Sequence, residues 1–453
     1  MIDNNIYYTN TFTHIEKEGE ILFIFPEIPT WLIANKKLIE IFNFFKDGQT
    51  IQNFLLSYEI LETEELKKYE RLFNSLISKK ILSMEKYFAS PIPRNPDNLI
   101  TSFIFGITNK CNLRCSSCYN SYTEKLDNEL SITEMKKIAD EVLPFLSYGF
   151  SISGGEPFCR KSELFEILEY VSNKEEKHRV GLVTNGTLIN EDDAKRLSRI
   201  GNLTVQISLD GITKESHEFN RGKNTFDKVI ETIKILRKYD VKILLGVLLT
   251  EKSIHEIQEV LDFAINLGIS SVRFIEMFWQ GLSRSKSMKR PLSYELFPIY
   301  KNLLRHDNKY KSVLQKDATK VIFDSLISPI KKKCCGIDNQ TVYIDSNGNV
   351  YPCNLLISEE HKLGNIREKN FEDIWLYSEL KKTLCDLTVD GFEGCKSCEI
   401  RYFCGGGCRG TAYNSYGNIK SPPPNCREKK KTIYSYLWEF AEKDSLFELL
   451  RKV

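Results

Sequence analysis

Cys111, Cys115 and Cys118 fall within eight residues, directly after the apolar run Ile104-Phe-Gly-Ile107 and the short segment Thr108-Asn-Lys110, and directly before Tyr119. Thiolates are soft ligands, and soft sulfur selects an iron–sulfur centre or zinc. A tetrahedral zinc site needs a fourth protein ligand, and the neighbouring sequence offers no further cysteine or histidine. The C-x3-C-x2-C spacing therefore points to a 4Fe–4S cubane with one iron left open for a small molecule. A zinc knuckle is the competing assignment.

A larger set of cysteines follows near the C-terminus: Cys335, Cys353, then Cys395-x2-Cys398-x5-Cys404-x3-Cys408, and finally Cys426. Asp345-Ser-Asn-Gly348 supplies a hairpin turn just before Cys353. The chain holds thirteen cysteines, nine of them after position 333, so they are grouped rather than scattered. Its start, Met1-Ile-Asp-Asn, has neither the basic opening nor the apolar core of an export signal. Cysteines in such a chain serve metal rather than a disulfide framework. Paired zinc sites would suit Cys395, Cys398, Cys404 and Cys408 alone, but leave the other intervals without a purpose.

Between the two sets lie short turns with polar side chains: Ser153-Gly154-Gly155-Glu156-Pro157, Thr184-Asn185-Gly186 and Ser208-Leu-Asp210-Gly211. Paired glycines let the backbone approach a ligand, and Glu156 sets a carboxylate beside it. Hydroxyl, amide and carboxyl side chains at such turns can hold a sugar diol. Further on, Arg221 in His217-x2-Asn220-Arg221 offers a two-pronged donor for a carboxylate. Taken singly, each of these is an ordinary glycine turn or a surface arginine.

The elements that must position these residues alternate. Strands are expected at 103–108, 150–153, 180–184, 203–208, 242–249 and 271–275, with helices at 132–146, 163–173, 191–199, 225–239 and 254–267 between them. Ser131-x2-Glu134 is a capping box opening the first of these helices. Alternation of this kind predicts a parallel sheet covered by helices, with ligands at the carboxyl ends of the strands. Ahead of it, residues 1–88 read as a separate module: a strand at Ile21–Phe25, an apolar turn at Trp31-Leu-Ile-Ala34, then helical patterns over 38–45, 51–58 and 64–79. A plain helical cap on the next domain would explain this module without any binding role.

The triplet with its tyrosine, the Gly-Gly-Glu-Pro turn and the later strand-end segments resemble the radical S-adenosylmethionine (SAM) superfamily. The resemblance implies an α/β fold, a partial (β/α)6 TIM-like barrel over 99–290, whose cluster on Cys111, Cys115 and Cys118 binds and reductively cleaves SAM. It further implies Gly154, Gly155, Glu156 and Pro157 at the methionyl amine, with Thr184, Asn185, Ser208 and Asp210 toward the ribose. Arg221 would take the SAM carboxylate and Tyr119 the adenine; no catalytic residue beyond this cluster is assigned.

The later cysteines are similar, interval by interval, to the SPASM extension, placed at 334–430 after a bridging helical region at 291–333 and before a C-terminal helix at 431–453. That similarity implies a cysteine-rich iron–sulfur domain with two auxiliary clusters, one on Cys395, Cys398, Cys404 and Cys426, the other on Cys335, Cys353 and Cys408. Sulfatase-maturing members carry a further ligand where Thr341 stands here. The second cluster is thus left with an open iron, or takes Cys334 or Cys385; Cys159 reads as a buried apolar filler.

Residues 1–88 resemble the PqqD-like leader-peptide-recognition domain, a winged-helix-like α+β domain that adds a peptide as an extra strand. Together these resemblances imply three 4Fe–4S clusters, SAM, a flavodoxin or ferredoxin-type electron donor, and a ribosomally synthesised precursor peptide as substrate. The expected reaction is a thioether crosslink between a cysteine sulfur and a carbon, of sactipeptide or ranthipeptide type. Carbon–carbon crosslinking and formylglycine formation on a sulfatase are the enzymatic alternatives, and a zinc-containing leader-binding scaffold the non-enzymatic one.

Composition narrows the field. Lys and Arg number 63 against 61 Asp and Glu, a net charge of +2 over 453 residues, with no basic stripe to capture nucleic acid. No apolar run is long enough to span a bilayer, so a cytoplasmic protein without membrane partners is expected.

Overall fold

A computed structural model describes residues 4–60, 62–92, 98–120, 124–174, 178–269, 271–278, 280–282, 290–314, 330–338 and 340–440. The prolines at 93 and 96, residues 315–329 of the bridging segment and residues 441–453 lie outside the described residues.

The N-terminal module runs β1 (Ile6–Thr9), β2 (Thr13–Lys17), β3 (Glu20–Phe25), β4 (Thr30–Ala34), α1 (Lys37–Phe44), β5 (Gln49–Thr50), α2 (Ile51–Ser57), α3 (Thr63–Ser78) and β6 (Leu82–Ser83). Two three-stranded antiparallel sheets result, in the orders β2-β3-β4 and β5-β1-β6. Trp31-Leu-Ile-Ala, expected as an apolar turn, is the strand β4, because Phe25 and Thr30 close a hairpin that pairs it with β3. The two faces of β3 serve different neighbours, as its period-two geometry allows. Ile21, Phe23 and Phe25 join Phe42, Phe45, Phe54 and Phe73 in a core of the module's own. Leu22 and Ile24 face the larger core of the rest of the molecule.

The central region carries β7 (Ser102–Gly106), α4 (Ile132–Val142), β8 (Gly149–Ser153), α5 (Lys161–Lys174), β9 (Arg179–Thr184), α6 (Glu191–Leu197), β10 (Leu203–Ser208), α7 (Lys214–Arg221), α8 (Phe226–Lys238), β11 (Ile243–Leu248), α9 (Ile257–Asn266) and β12 (Val272–Ile275). Strands β7 to β12 pair in parallel and in sequence order. The capping box is present: Ser131 accepts from the Glu134 amide at 3.4 Å while Glu134 accepts from the Ser131 amide at 2.7 Å. The first helix stops at Val142 rather than 146, and a 3-10 turn with Pro144 follows.

Beyond α10 (Phe297–His306) and α11 (Lys311–Leu314), the chain returns to the same sheet. Strand β13 (Thr341–Ile344) pairs in parallel with β7, and β14 (Asn349–Tyr351) and β15 (Gly364–Asn365) extend the sheet antiparallel to nine strands. The cysteine-rich region is therefore continuous with the central sheet. It finishes with α12 (Phe371–Tyr377), α13 (Glu379–Cys385), α14 (Arg401–Cys404), α15 (Arg409–Tyr416) and α16 (Cys426–Glu439). The last helix thus begins at the final cysteine and not at 431. Among the described residues no helix is long and apolar enough to cross a membrane.

Candidate iron–sulfur and SAM site

The Cys111–Cys118 loop leaves the carboxyl end of β7 and is gripped at three points. At its start, the Glu129 carboxylate, fully buried, accepts from the Asn109 amide at 2.6 Å and the Thr108 hydroxyl at 3.0 Å. The buried Arg160 guanidinium stands 3.6 Å from Glu129 and donates to the Ile107 and Leu130 carbonyls, both at 3.0 Å. In the middle, Asn112 accepts from Asn185 at 2.9 Å and donates to Thr187 at 2.8 Å. At the far end, the Asn220 amide oxygen accepts from the Ser116 hydroxyl, the Ser117 amide and the Ser117 hydroxyl at 3.0, 3.0 and 2.7 Å. Its backbone carbonyl accepts from the Ser116 amide at 2.8 Å.

Three thiols are brought together on this loop. Burial first, then the charges of Glu156, Cys115 and Cys118, push the Cys111 thiol up to about 12. Such thiols bind metal only by losing their protons, so a soft cation is what would stabilise them as thiolates here.

The Gly-Gly-Glu-Pro turn lies alongside. The Gly155 and Glu156 amides donate to the Thr108 and Lys110 carbonyls, each at 2.8 Å. A Cβ would stand 2.6 Å from the Thr108 carbonyl oxygen at Gly154, whose φ is +141°, and 2.3 Å from that of Lys110 at Gly155. These glycines are thus required by contact with the cysteine loop itself, where the sequence alone suggests the approach of a ligand. Glu156 is buried, and its carboxylate accepts from the Phe158 amide, the Thr184 hydroxyl and the Asn185 amide at 3.1, 2.7 and 2.8 Å. It clamps the end of β8 to the end of β9, and Pro157 opens the 3-10 turn that follows.

Asp210 and Arg221 depart from the expectation that each meets a ligand alone. Asp210 is fully buried; Arg221 donates to it through Nε at 2.6 Å and Nη2 at 3.1 Å, Asn220 at 2.7 Å and the Leu248 amide at 3.1 Å. Burial pushes the Asp210 carboxyl up, yet the Arg221 charge outweighs it and holds it below the usual carboxylate range. The fork of Arg221 is therefore closed on Asp210, with Nη1 turned 3.9 Å from the Cys115 sulfur. Asp210 and Arg221 are thus paired with each other, where the resemblance expects each to meet a part of SAM. His217, on the same helix, accepts from the Asp210 amide at 3.2 Å, and burial depresses its pKa to about 4, which keeps the ring neutral. Ser208 is half-buried at the end of β10. Helix α7 was not expected as a helix, since Lys-Glu-Ser-His-Glu-Phe-Asn-Arg has no apolar stripe.

Tyr119 points toward the C-terminal region. Its hydroxyl accepts from Asn354, the neighbour of Cys353, at 3.2 Å, and its ring centroid is 6.5 Å from that of Phe278. The first cysteine loop and the second set are thus in direct contact.

In the C-terminal region the thiols fall into two groups that feel each other's charge. Cys335 lies within electrostatic reach of Cys408, Cys334 and Cys353. Burial, then Cys408, pushes Cys353 up to about 12. Cys395 is raised to about 11 by burial, with Cys404, Cys426 and Cys398 adding to it. Among the described residues no three Cys, His, Asp or Glu side chains stand at the spacing of a single metal ion.

The frame of this region is local. Gly405, Gly406 and Gly407 all have positive φ, from +64° to +76°, and a Cβ at Gly406 would stand 2.5 Å from the Phe392 ring. Arg409, fully buried, threads the loop: it donates to the carbonyls of Gly406, Gly407, Ile419 and Ser421, the last three at 3.3, 2.9 and 3.0 Å. Cys408 caps α15, its sulfur accepting from the Thr411 amide at 3.4 Å.

The spare cysteines separate. Cys334 adjoins Cys335 and donates to Asp338 Oδ1 at 3.3 Å. Cys385 donates to the Asp338 carbonyl at 3.1 Å, and its charged neighbours are Lys381, Asp338, Lys333 and Asp386 rather than cluster thiols. Thr341 donates to the Pro352 carbonyl at 2.6 Å, tying the β13–β14 hairpin. Cys159 is half-buried beside Glu156 and Lys110, not the buried filler expected. Glu129, Arg160, Asn112, Asp338 and Arg409 belong to no motif in the sequence. Only Arg409 left a trace, as the residue after Cys-Gly-Gly-Gly-Cys.

Comparison with known proteins agrees with this geometry. Residues 105–264 match the Radical SAM superfamily, and residues 334–399 match the SPASM iron–sulfur cluster-binding domain. The AdoMet-dependent heme synthase of Methanosarcina barkeri is 28% identical over 338 residues, 71% of this chain and 94% of that protein. The mycofactocin maturase MftC of Mycolicibacterium smegmatis is 28% identical over 339 residues, 71% of this chain and 81% of its own. The crystal structure of Streptococcus suis SuiB bound to precursor peptide SuiA superposes with a TM-score of 0.56 at 17% identity, covering 94% of this chain and 99% of that one.

Proposed function

We propose that the chain, which carries radical SAM and SPASM domain matches, uses a SAM-derived radical to install a thioether in a ribosomally made precursor peptide. These domains imply 4Fe–4S clusters and SAM; the proposal sets three clusters on the three thiol groups. The ligands are Cys111, Cys115 and Cys118; Cys335, Cys353 and Cys408; and Cys395, Cys398, Cys404 and Cys426. The donor chemistry fits, since each group presents thiols that share one electrostatic environment. When bound, the first cluster and SAM supply a 5′-deoxyadenosyl radical that abstracts hydrogen.

The chain's own residues orient and enclose. Glu129, Asn112 and Asn220 fix the cysteine loop. Asp210 holds Arg221 against Cys115, so that a fixed positive charge faces the cysteine loop. Gly154 to Pro157 line the same side, with Thr184, Asn185 and Ser208 at the adjacent strand ends.

The observation that carries the thioether reading is the hydrogen bond from Asn354, the neighbour of Cys353, to Tyr119, the neighbour of Cys118. It sets the group at Cys335, Cys353 and Cys408, which lacks an obvious fourth ligand, beside the radical-generating loop. A substrate cysteine thiolate held there would be next to the carbon that loses hydrogen. Cys334 is the nearer competitor for that position, Cys385 the more remote.

Residues 1–88 would recognise the leader as a winged-helix-like, PqqD-type domain, adding it at a sheet edge. The fold match to SuiB bound to its precursor peptide, which covers 94% of this chain, supports this reading. A flavodoxin or ferredoxin-type protein would deliver the electron.

The test is anaerobic turnover of the full chain with SAM, dithionite and a cysteine-containing precursor encoded beside its gene. Loss of two hydrogens with the cysteine no longer alkylatable is expected. A product two hydrogens lighter whose thiol still alkylates would overturn the thioether in favour of a carbon–carbon bond. Three complete cubanes also require about twelve irons per chain.

A further inference from the structure

Away from the cysteines, the last turns of α16, the helix α10 and the end of strand β2 enclose a groove of about 840 Å³. Its walls are aromatic, with Tyr434 and Trp438 on one side and Phe297 on the other. Its charge is one-sided. Lys301 is paired with Glu439 at 2.8 Å. Lys17, Arg305 and Lys431 line the same groove with no carboxylate partner among the described residues. Lys17 instead rests over the Trp438 ring, 5.7 Å from its centroid.

Unpaired cations over aromatic walls form a site for an extended segment bearing carboxylates between apolar residues. A concave groove of this volume receives a peptide strand better than the flat face of a folded protein. Lys17 is also the last residue of β2, the outer and largely exposed strand of its sheet, so the groove continues the edge of the N-terminal module.

We propose that this groove binds an acidic, apolar-interrupted segment of the precursor peptide, outside the reaction site. The identity of the partner rests on the peptide-maturase reading, whereas the binding itself is measured without turnover. A failed crosslinking assay would therefore leave the groove standing, and a failed groove would leave the radical chemistry standing.

The experiment uses the full chain and a fluorescein-labelled peptide of alternating Glu and Leu, with its Gln–Leu counterpart as control, read by anisotropy at low and high salt. Binding of the acidic probe alone, weakened by salt, is expected. The double reversal R305E/K431E should weaken it about tenfold, as two exposed charges reversed would. SAM cleavage by that variant should be unchanged. Should the reversal impair folding, the neutral pair R305Q/K431Q gives the same reading at about threefold. Equal binding of both probes, or binding indifferent to either double variant, overturns the proposal. Slower reduction by a flavodoxin with unaltered probe binding would assign the groove to an electron donor and overturn it equally.

Discussion

The two cysteine-bearing regions are built on opposite principles. The loop at Cys111–Cys118, beyond its own bond from Arg114 to the Cys111 carbonyl, is held from outside: Glu129, Asn185 and Asn220 arrive from the ends of separate elements. The loop at Cys404–Cys408 is framed from within a few residues, by three left-handed glycines and by Arg409, which returns to donate to two of them. The first arrangement couples ligand geometry to the rigid sheet, as a reacting centre requires. The second is braced instead by neighbouring segments of its own region, at Cys334, Phe392 and Pro423.

The sharpest way to break this comparison is to remove one thiol from each region. Cys115→Ala should abolish release of 5′-deoxyadenosine and methionine. Cys404→Ala should leave SAM cleavage but eliminate the modified peptide, as seen by mass spectrometry of the same reaction. Loss of SAM cleavage in both would show that the regions are one functional unit.

Arg409→Met follows in size. The variant leaves four carbonyls without their buried donor, a change worth about 3–5 kcal/mol. Denaturant unfolding should show that loss, and iron content should fall with the SAM-cleaving activity of the folded fraction retained. Asn220→Ala, by contrast, removes bonds at the loop and not at a fold-defining knot. About 1–2 kcal/mol of stability should go, while the rate of iron loss to a chelator rises about 10- to 100-fold. Asn220→Asp separates positioning from packing: it keeps the acceptor for Ser116 and Ser117 but adds a charge beside Asp210. It should retain the loop and yet lower the reduction potential of the SAM-binding cluster, read by EPR-monitored titration.

Why one region was more legible than the other follows from where its determinants lie. Cysteine spacing and glycine runs are local, so the C-terminal set could be matched to the SPASM pattern interval by interval. The alternation of strand and helix was equally local, and β7 to β12 lie within two residues of expectation. The grips on the first loop were not legible, because Glu129 and Asn220 are tied to it only through the folded sheet. Nor could periodicity reveal β13 beside β7, since parallel pairing of 341–344 with 102–105 joins segments far apart in sequence. Strand β2, Thr-His-Ile-Glu-Lys, has one apolar residue and exists because β3 offers it an edge. The Asp210–Arg221 pair was hidden for the opposite reason: both residues were noticed, each as a ligand for something else.

The smallest expected effect tests how the two regions are joined at the surface. Arg367, just after β15, donates to Glu134 in the first turn of α4, through Nε at 2.6 Å and Nη2 at 3.2 Å. The Arg367 bond is the largest cause, with the Ser131 bonds assisting against a modest burial penalty, in holding the Glu134 carboxyl down at about 2 against an ordinary 4.5. A carboxyl depressed in the folded state stabilises it above the ordinary value, and that contribution fades as pH falls through the folded value. Both side chains are about one-third exposed, so solvent screening limits the contribution to about 1 kcal/mol. Glu134→Gln should therefore cost about 1 kcal/mol at pH 7, the gap narrowing below pH 4.5 and closing near pH 2. A gap independent of pH would mean that the capping geometry of Ser131, rather than the ion pair to Arg367, is what the substitution disturbs. In that case the pairing of β13 with β7 and the neutral bonds between the regions, rather than a charge across the surface, would fix the second region against the first.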